Sequence, residues 1–151
     1  MKAIKITRGE YALVDDIDYE KIAAHKWFCK PMGNNKYAAR EVDKKIIYMH
    51  RIILGAKAGQ ICDHINGNSL DNRRANLRFC TRGQNAKNRG VNKNNTTGIK
   101  GVTWYKRLKK WRAQIRVDYK LEHIGLFDNK NDAEIAYKQA AKKAFGEYAR
   151  I

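Results

Sequence analysis

One stretch of the chain has both the length and the periodicity of a full helix. Its apolar residues recur at the spacing of a single helical face: Ala133, Ala136, Tyr137, Ala140, Ala141, Ala144 and Phe145. Gly146 follows them and is a typical helix end. Because most of this face is alanine, the helix can approach a sheet closely. The pattern therefore predicts a partner sheet that the rest of the chain has to supply.

Residues 98–129 are predicted to supply that sheet as three short strands. The alternation is clearest within 111–117, where apolar and polar side chains fall on opposite faces. Trp111, Ala113, Ile115 and Val117 would pack on the helix, and we expect Trp111 to be a core residue. Arg112, Gln114 and Arg116 would face solvent. We predict a three-stranded antiparallel sheet packed on one helix over residues 98–151.

Residues 1–57 are predicted to form a small α+β unit that supports the segment after it. Strands flank a turn at Arg8-Gly9, and Asp18 is a candidate cap for a short helix that follows it. Two further strands are expected over 36–42 and 45–55. The predicted fold class is therefore α+β, with the candidate chemistry placed in the next segment.

Residues 58–90 predict the order strand, long loop, strand, helix. The strands fall at 60–64 and 76–81, and Asn66-Gly67 marks a turn between them. Thr81 with Gln84 three residues later is a capping-box pattern, which predicts that a helix begins there. The first domain is thus expected over 1–90, a basic Asn-rich linker over 91–97 and the second domain over 98–151. Such a linker is either flexible or lies along a phosphate backbone.

The charge of the chain indicates a polyanionic partner. Lys and Arg number 32 against 15 Asp and Glu, which gives a net charge of +17 and a pI of about 10.0. This excess is spread along the whole chain, as in proteins that contact many phosphates. A generic basic protein that binds ribosomes or a membrane surface is the plainer alternative. Without a long apolar run or an apolar h-region near residue 1, we expect no transmembrane helix and no signal peptide. Three cysteines without a Cys-x-x-Cys pair predict no structural zinc.

Asp63 and His64 end the first of the two strands in 58–90, and Asn85 lies near the start of the helix. A strand-end carboxylate and an amide from a facing helix can hold one hard divalent cation, and Mg²⁺ commonly takes few protein ligands. A histidine beside such a cation can accept a proton from water. Taken alone, however, an Asp-His pair beside an Asn-Gly turn is more often an ordinary polar turn.

Residues 63–85, DHINGNSLDNRRANLRFCTRGQN, resemble the HNH nuclease motif in the Asn-ended variant of phage and intron-encoded homing endonucleases. The resemblance implies a ββα-metal (His-Me finger) fold with His64 as general base. It implies that Asp63 and Asn85 bind Mg²⁺, with Mn²⁺ able to substitute and no structural zinc. Asn76 would hold the loop and position the histidine. His50, in the similar stretch before the motif, is expected to be structural.

Residues 97–150 resemble the ethylene-response-factor (Apetala-two) type of DNA-binding domain, through G-V, W-x-A-x-I, I-G-x-F and A-x-x-A-Y. That family lays its sheet in the DNA major groove. Matching contact positions are Lys100, Thr103, Tyr105, Gln114, Arg116 and His123, and alternation adds Arg112. Further DNA-binding candidates are Arg73, Arg74, Lys87, Arg89 and Lys93.

Together these features predict a metal-dependent DNA endonuclease of homing or mobile-element type that nicks or cleaves double-stranded DNA. We expect it in the cytoplasm of a bacterial host, encoded by a phage or mobile element, with a monomer favoured. No membrane and no further small-molecule cofactor are expected. The alternatives are a non-catalytic DNA-binding regulator or degenerate nuclease, and an RNA- or ribosome-binding protein. The presence of Asp63, His64, Asn76 and Asn85 together favours the nuclease.

Overall fold

The computed structural model describes residues 1–92 and 94–151, and the chain forms two compact units, 1–85 and 86–151. The division falls a few residues before the predicted domain end at residue 90. Among the described residues, no helix is long and apolar enough to cross a bilayer. Each unit has its own apolar core, so each is described by itself.

Seven strands and two helices make up most of the first unit, and a third helix begins at its end. In chain order they are β1 (Lys2–Lys5), β2 (Tyr11–Val14), α1 (Asp16–Ala23), β3 (Phe28–Met32), β4 (Asn35–Val42), β5 (Lys45–Tyr48), α2 (Met49–Leu54), β6 (Ile61–His64), β7 (Leu77–Cys80) and α3 (Arg82–Lys87). All strand pairs are antiparallel: β1 with β2, β3 with β4 and β4 with β5, and β6 with β7. Side chains from most of these elements share one core, which includes Val14, Ile22, Met49 and Leu77.

Two sequence predictions in this unit are wrong. Asp18 does not cap α1, which begins at Asp16 after Asp15; Asp18 is buried inside the helix and pairs with Arg74. The expected strand over 45–55 ends at Tyr48, and α2 follows it. Gly55 ends α2 in the left-handed region, at φ +63°. A short apolar run fits a buried strand and a buried helix equally well, so periodicity could not separate them.

β3 had no counterpart among the predicted strands. It contains Pro31, which lacks the N–H needed in the middle of a sheet. The observed strand order β3-β4-β5 explains why the proline is tolerated, since β3 lies at the edge. An edge strand needs hydrogen-bonded partners on one side only.

The predicted order of strand, loop, strand and helix is present in β6, β7 and α3. Asp63 lies opposite Arg78 in the β6–β7 register, and His64 lies opposite Leu77. The predicted capping box also forms at the start of α3. Thr81 N–H donates to Gln84 Oε1 at 2.8 Å, and Gln84 N–H donates to Thr81 Oγ1 at 3.2 Å.

The second unit is the predicted antiparallel sheet and helix. It contains β8 (Val102–Tyr105), β9 (Lys110–Val117) and β10 (Lys120–Phe127) in the order β10-β9-β8, followed by α4 (Lys130–Phe145). Its core joins the sheet to the alanine face of the helix: Val102, Ala113, Ile115, Ala133, Tyr137 and Ala141. Part of the predicted linker is tied to this unit. Asn95 Nδ2 donates to Ile99 O and Thr97 Oγ1 donates to Val102 O, each at 2.9 Å.

Candidate functional site

Asp63 is almost fully buried and forms an ion pair with Arg78 across the β6–β7 ladder. Arg78 Nε and Nη2 lie 3.0 Å and 2.8 Å from Asp63 Oδ2. The exposed fractions of the two side chains are 10% for Arg78 and 8% for Asp63. The candidate metal-binding carboxylate therefore carries its counter-ion inside the protein.

His64, the next residue, is buried beside an amide that the sequence reasoning missed. Its Nε2 lies 3.4 Å from Asn72 Oδ1, a long contact. Asn72 Nδ2 donates to Leu70 O, and only the NH₂ group of an amide can do so, which fixes the orientation of the amide. Asn72 Oδ1 is then the acceptor, and this contact favours the tautomer with the imidazole proton on Nε2 and the lone pair on Nδ1.

Aromatic rings also pack near His64. The His50 ring meets it edge to face with centroids 5.0 Å apart, and the Tyr37 centroid lies at 6.1 Å. Tyr48 stacks on His50 at 5.6 Å. Burial lowers the pKa of His64, and it lowers the pKa of His50 to about 3. Both imidazoles are therefore neutral at physiological pH, and a neutral imidazole can accept a proton.

Asn76 bridges the two ends of the loop between β6 and β7. Its Nδ2 donates to Asp71 O at 2.7 Å, and its Oδ1 accepts from Asn66 N–H at 2.9 Å. Ile65 N–H also donates to the Asn76 carbonyl. These bonds fix the backbone that leaves β6 directly after His64.

The N-terminal hairpin anchors the same loop from outside. Leu13 of β2 makes two backbone hydrogen bonds to the loop, both at 2.8 Å. Its N–H donates to Leu70 O, and its carbonyl accepts from Asn72 N–H. These bonds explain why Asn72 is only 1% exposed although it lies in a loop. No periodicity reveals a contact between residues 13 and 72, so the sequence carried no signal for the role of Asn72.

The candidate metal ligands have the right chemistry for a hard cation. Asp63 offers a carboxylate and Asn85 an amide oxygen, the donor types that Mg²⁺ takes. Asn85 is exposed on α3, which starts two residues after β7 ends. Within 1–92 and 94–151, no three His, Cys, Asp or Glu side chains form a metal-binding cluster. Because Mg²⁺ commonly takes only one or two protein ligands, its site needs no such cluster. The oxygen donors of Asp63 and Asn85 fit this cation.

Several basic DNA-binding candidates make contacts inside the protein. Arg73 bonds both carboxylate oxygens of Asp71, at 2.6 and 2.7 Å, and lowers the pKa of that carboxyl. Arg74 bonds both oxygens of Asp18 at 2.7 Å. Both arginines thus already neutralise acidic partners, although their side chains are 39% and 54% exposed.

The candidates around 87–100 differ in exposure. Lys100 is half-buried, and its ammonium donates to the carbonyls of Lys87 and Arg89 at 2.8 Å each. The Lys87 ammonium lies 5.2 Å from the Phe145 ring centroid, and Arg89 is exposed. Lys93 lies outside the described residues.

The remaining candidates lie on the sheet of the second unit. The register pairs Thr103 with Arg112 and Gln114 with His123, so these side chains share the face opposite Ala113. Tyr105, on the same face, lies with its ring centroid 5.2 Å from the Arg112 guanidinium. Arg116 is exposed further along β9.

The buried Asp-His pair, the bridging asparagine and the following helix coincide with a known family. Residues 48–87 match the family described as HNH endonuclease. This segment runs from the end of β5 to the end of α3 and contains Asp63, His64, Asn76 and Asn85. The chain therefore carries an HNH endonuclease domain.

A curated phage protein extends the likeness beyond that segment. Protein 3.8 of Escherichia phage T7 is 30% identical over 93 residues, which is 62% of this chain and 76% of the phage protein. The chain belongs to the same protein family as this phage protein. No solved structure matches the chain.

Proposed function

We propose that the chain is a divalent-metal-dependent DNA endonuclease that hydrolyses phosphodiester bonds with His64 as general base. The observation that carries the proposal is the position of His64 beside Asp63 at the end of β6, where Asn76 closes the loop that follows, within the segment that matches the HNH family. The four residues expected for this chemistry are all present in that segment.

His64 would take the proton from the attacking water through Nδ1. The contact with Asn72 supports this assignment, because it directs the Nε2 proton toward Oδ1 and leaves the lone pair on Nδ1. The lowered pKa of His64 supports a neutral base at physiological pH. Asn76 would hold the loop that carries the base, and Asn72 would hold the ring.

Asp63 and Asn85 would bind Mg²⁺, with Mn²⁺ able to substitute. When bound, such a cation stabilises negative charge on the scissile phosphate and on the leaving oxygen. The carboxylate and the amide oxygen suit this role better than they would suit zinc, which prefers nitrogen and sulfur ligands.

The sheet of the second unit would place the nuclease on double-stranded DNA. The face that carries Arg112, Gln114, Arg116 and His123 offers side chains that can contact phosphates and base edges in the major groove. A DNA-binding module tethered to a weakly specific nuclease raises the local concentration of DNA at the active centre. We propose a homing or mobile-element role for this combination of a nuclease and a DNA-binding sheet.

The test is cleavage of supercoiled plasmid in Mg²⁺, with and without EDTA. Wild type should nick or linearise the plasmid, EDTA should stop the reaction, and His64→Ala should lower the rate by about 10²–10⁴-fold. His25→Ala is the matched control, because His25 is an exposed histidine of the same unit.

Intact plasmid in both Mg²⁺ and Mn²⁺ would contradict the nuclease and leave a DNA-binding protein. Cleavage by His64→Ala at the wild-type rate would remove His64 from the role of base. A wild-type protein that binds structured RNA as tightly as duplex DNA would favour the RNA-binding alternative.

A further inference from the structure

Arg78 occupies an unusual place for a cation. It lies directly opposite Asp63 on the neighbouring strand, and two of its nitrogens converge on one carboxylate oxygen. Both side chains are nearly buried, so solvent screens this pair little. A positive charge is thus built into the protein at the carboxylate that our proposed function assigns to the metal.

The pair of Arg73 and Asp71 offers a useful contrast. It is similar in chemistry and lies in the loop between the same two strands, but Arg73 is 39% exposed where Arg78 is 10% exposed. Asp71 has no proposed role toward metal, and its carboxylate also accepts from Asn66 Nδ2. Only the Arg78 pair therefore places an arginine at a candidate metal ligand.

A buried carboxylate needs a nearby cation, because leaving it uncompensated is strongly destabilising. In the free protein Arg78 meets this need. A divalent cation at Asp63 would meet it as well, but it would then lie close to the guanidinium and be repelled by it. The two cations therefore compete for one carboxylate.

We propose that Arg78 is an internal counter-ion that keeps the metal affinity of the free protein low until a DNA phosphate accepts its guanidinium. This inference rests on the proposed function, since it takes Asp63 as a metal ligand. Arginine is suited to the exchange because its guanidinium N–H groups bond carboxylate and phosphate oxygens alike. Metal and DNA would then each strengthen the binding of the other.

The first test measures Mn²⁺ alone binding to the DNA-free, full-length protein, by calorimetry and by the thermal midpoint against Mn²⁺ concentration. Arg78→Met should bind Mn²⁺ about tenfold or more tightly than wild type, because the repelling charge is gone. Its midpoint should also rise more steeply with Mn²⁺. Arg73→Met breaks the comparison ion pair and should leave Mn²⁺ affinity unchanged.

Asp63→Asn separates failure of the inference from failure of the proposed function. Unchanged Mn²⁺ binding in Asp63→Asn would remove Asp63 from the metal site and overturn both. Binding that depends on Asp63 but is equal or weaker in Arg78→Met would overturn the inference alone, since Arg78 would then only orient the carboxylate. If Arg78→Met does not fold without metal, Arg78→Gln retains polar side-chain atoms without the charge and takes its place.

The second test measures the coupling to DNA in a His64→Ala background, which prevents hydrolysis. A short duplex should raise Mn²⁺ affinity more in the protein with Arg78 than in Arg78→Met, because only the former has a guanidinium to release. An equal gain in the two proteins would contradict the exchange. A smaller gain in Arg78→Met would support it.

Discussion

The two units position their candidate functional side chains by different means. In the first unit, contacts between residues far apart in sequence hold the site: Asp18 binds Arg74, and Leu13 holds the loop at Asn72. In the second unit, simple alternation along β9 puts Arg112, Gln114 and Arg116 on one face. Function and folding should therefore be coupled in the first unit and separable in the second.

Gly101→Ala should have the largest effect and should break the second unit alone. A Cβ there would clash with the Tyr137 ring and lie 2.5 Å from Gln114 O, at φ +71°. We expect a loss of about 3 kcal/mol or more in the unfolding free energy of this unit. The measurement is urea unfolding followed by residue-resolved NMR, with the signals of Trp27 reporting on the first unit.

Gly98→Ala is the matched control for that change. Gly98 also has a positive φ, +74°, but a Cβ there would meet open space. It should lose only about 1 kcal/mol through backbone strain. Equal losses for the two variants would mean that the approach of Tyr137 to the backbone does not stabilise the unit.

Acid should weaken the first unit next most strongly, through His50. Burial sets its pKa to about 3 in the folded protein, while in the unfolded chain it is about 6.5. Below pH 6.5 the unfolded chain binds a proton that the folded unit does not. The contribution of His50 to the unfolding free energy is therefore fully present above pH 6.5. Below that pH it is lost by about 1.4 kcal/mol per pH unit, which is about 2 kcal/mol at pH 5.

His50→Phe keeps a ring against Tyr48 and removes the imidazole that takes up a proton in the unfolded chain. Its unfolding free energy, measured by urea titration from pH 7 to pH 5, should decline less steeply than that of wild type. The low pKa of Asp71 confines the loss of its ion pair to more acid conditions. An unchanged slope in His50→Phe would assign the acid sensitivity to other groups.

The contrast between the units also explains what the sequence could and could not predict. The alternation in 111–117 and the alanine face of α4 are local patterns, so the sheet and helix of the second unit were predictable. The two apolar runs, the Asn66-Gly67 turn and the capping box of Thr81 and Gln84 likewise predicted β6, β7 and α3. The bonds of Asn72 and the Asp63–Arg78 pair are tertiary contacts without a periodic signature. They determine the environment of the site, and they appear only once the strands are paired.

Arg74 can act either as the structural partner of Asp18 or as a DNA contact, and the two roles predict different results. Arg74→Met would leave the buried Asp18 carboxylate, 7% exposed, without its guanidinium. Because Arg74 itself is half exposed, we expect a modest loss of about 1–2 kcal/mol in the stability of the first unit. DNA affinity, measured by fluorescence anisotropy at several salt concentrations, should keep its salt dependence. A shallower dependence with unchanged stability would make Arg74 a DNA contact instead.

Arg116→Ala should have the smallest effect on folding. Unlike Arg74→Met, it should change the salt dependence of DNA binding. Arg116 is exposed on β9, so its loss should change the unfolding free energy by less than about 0.5 kcal/mol. If it contacts a phosphate, the slope of log affinity against log salt should fall by about one unit, because one fewer counterion is released. The anisotropy titrations used for Arg74→Met measure this directly. Unchanged slope and affinity would move the DNA-binding surface away from this face of the sheet. A loss of stability as large as that of Arg74→Met would instead remove the difference between the two units.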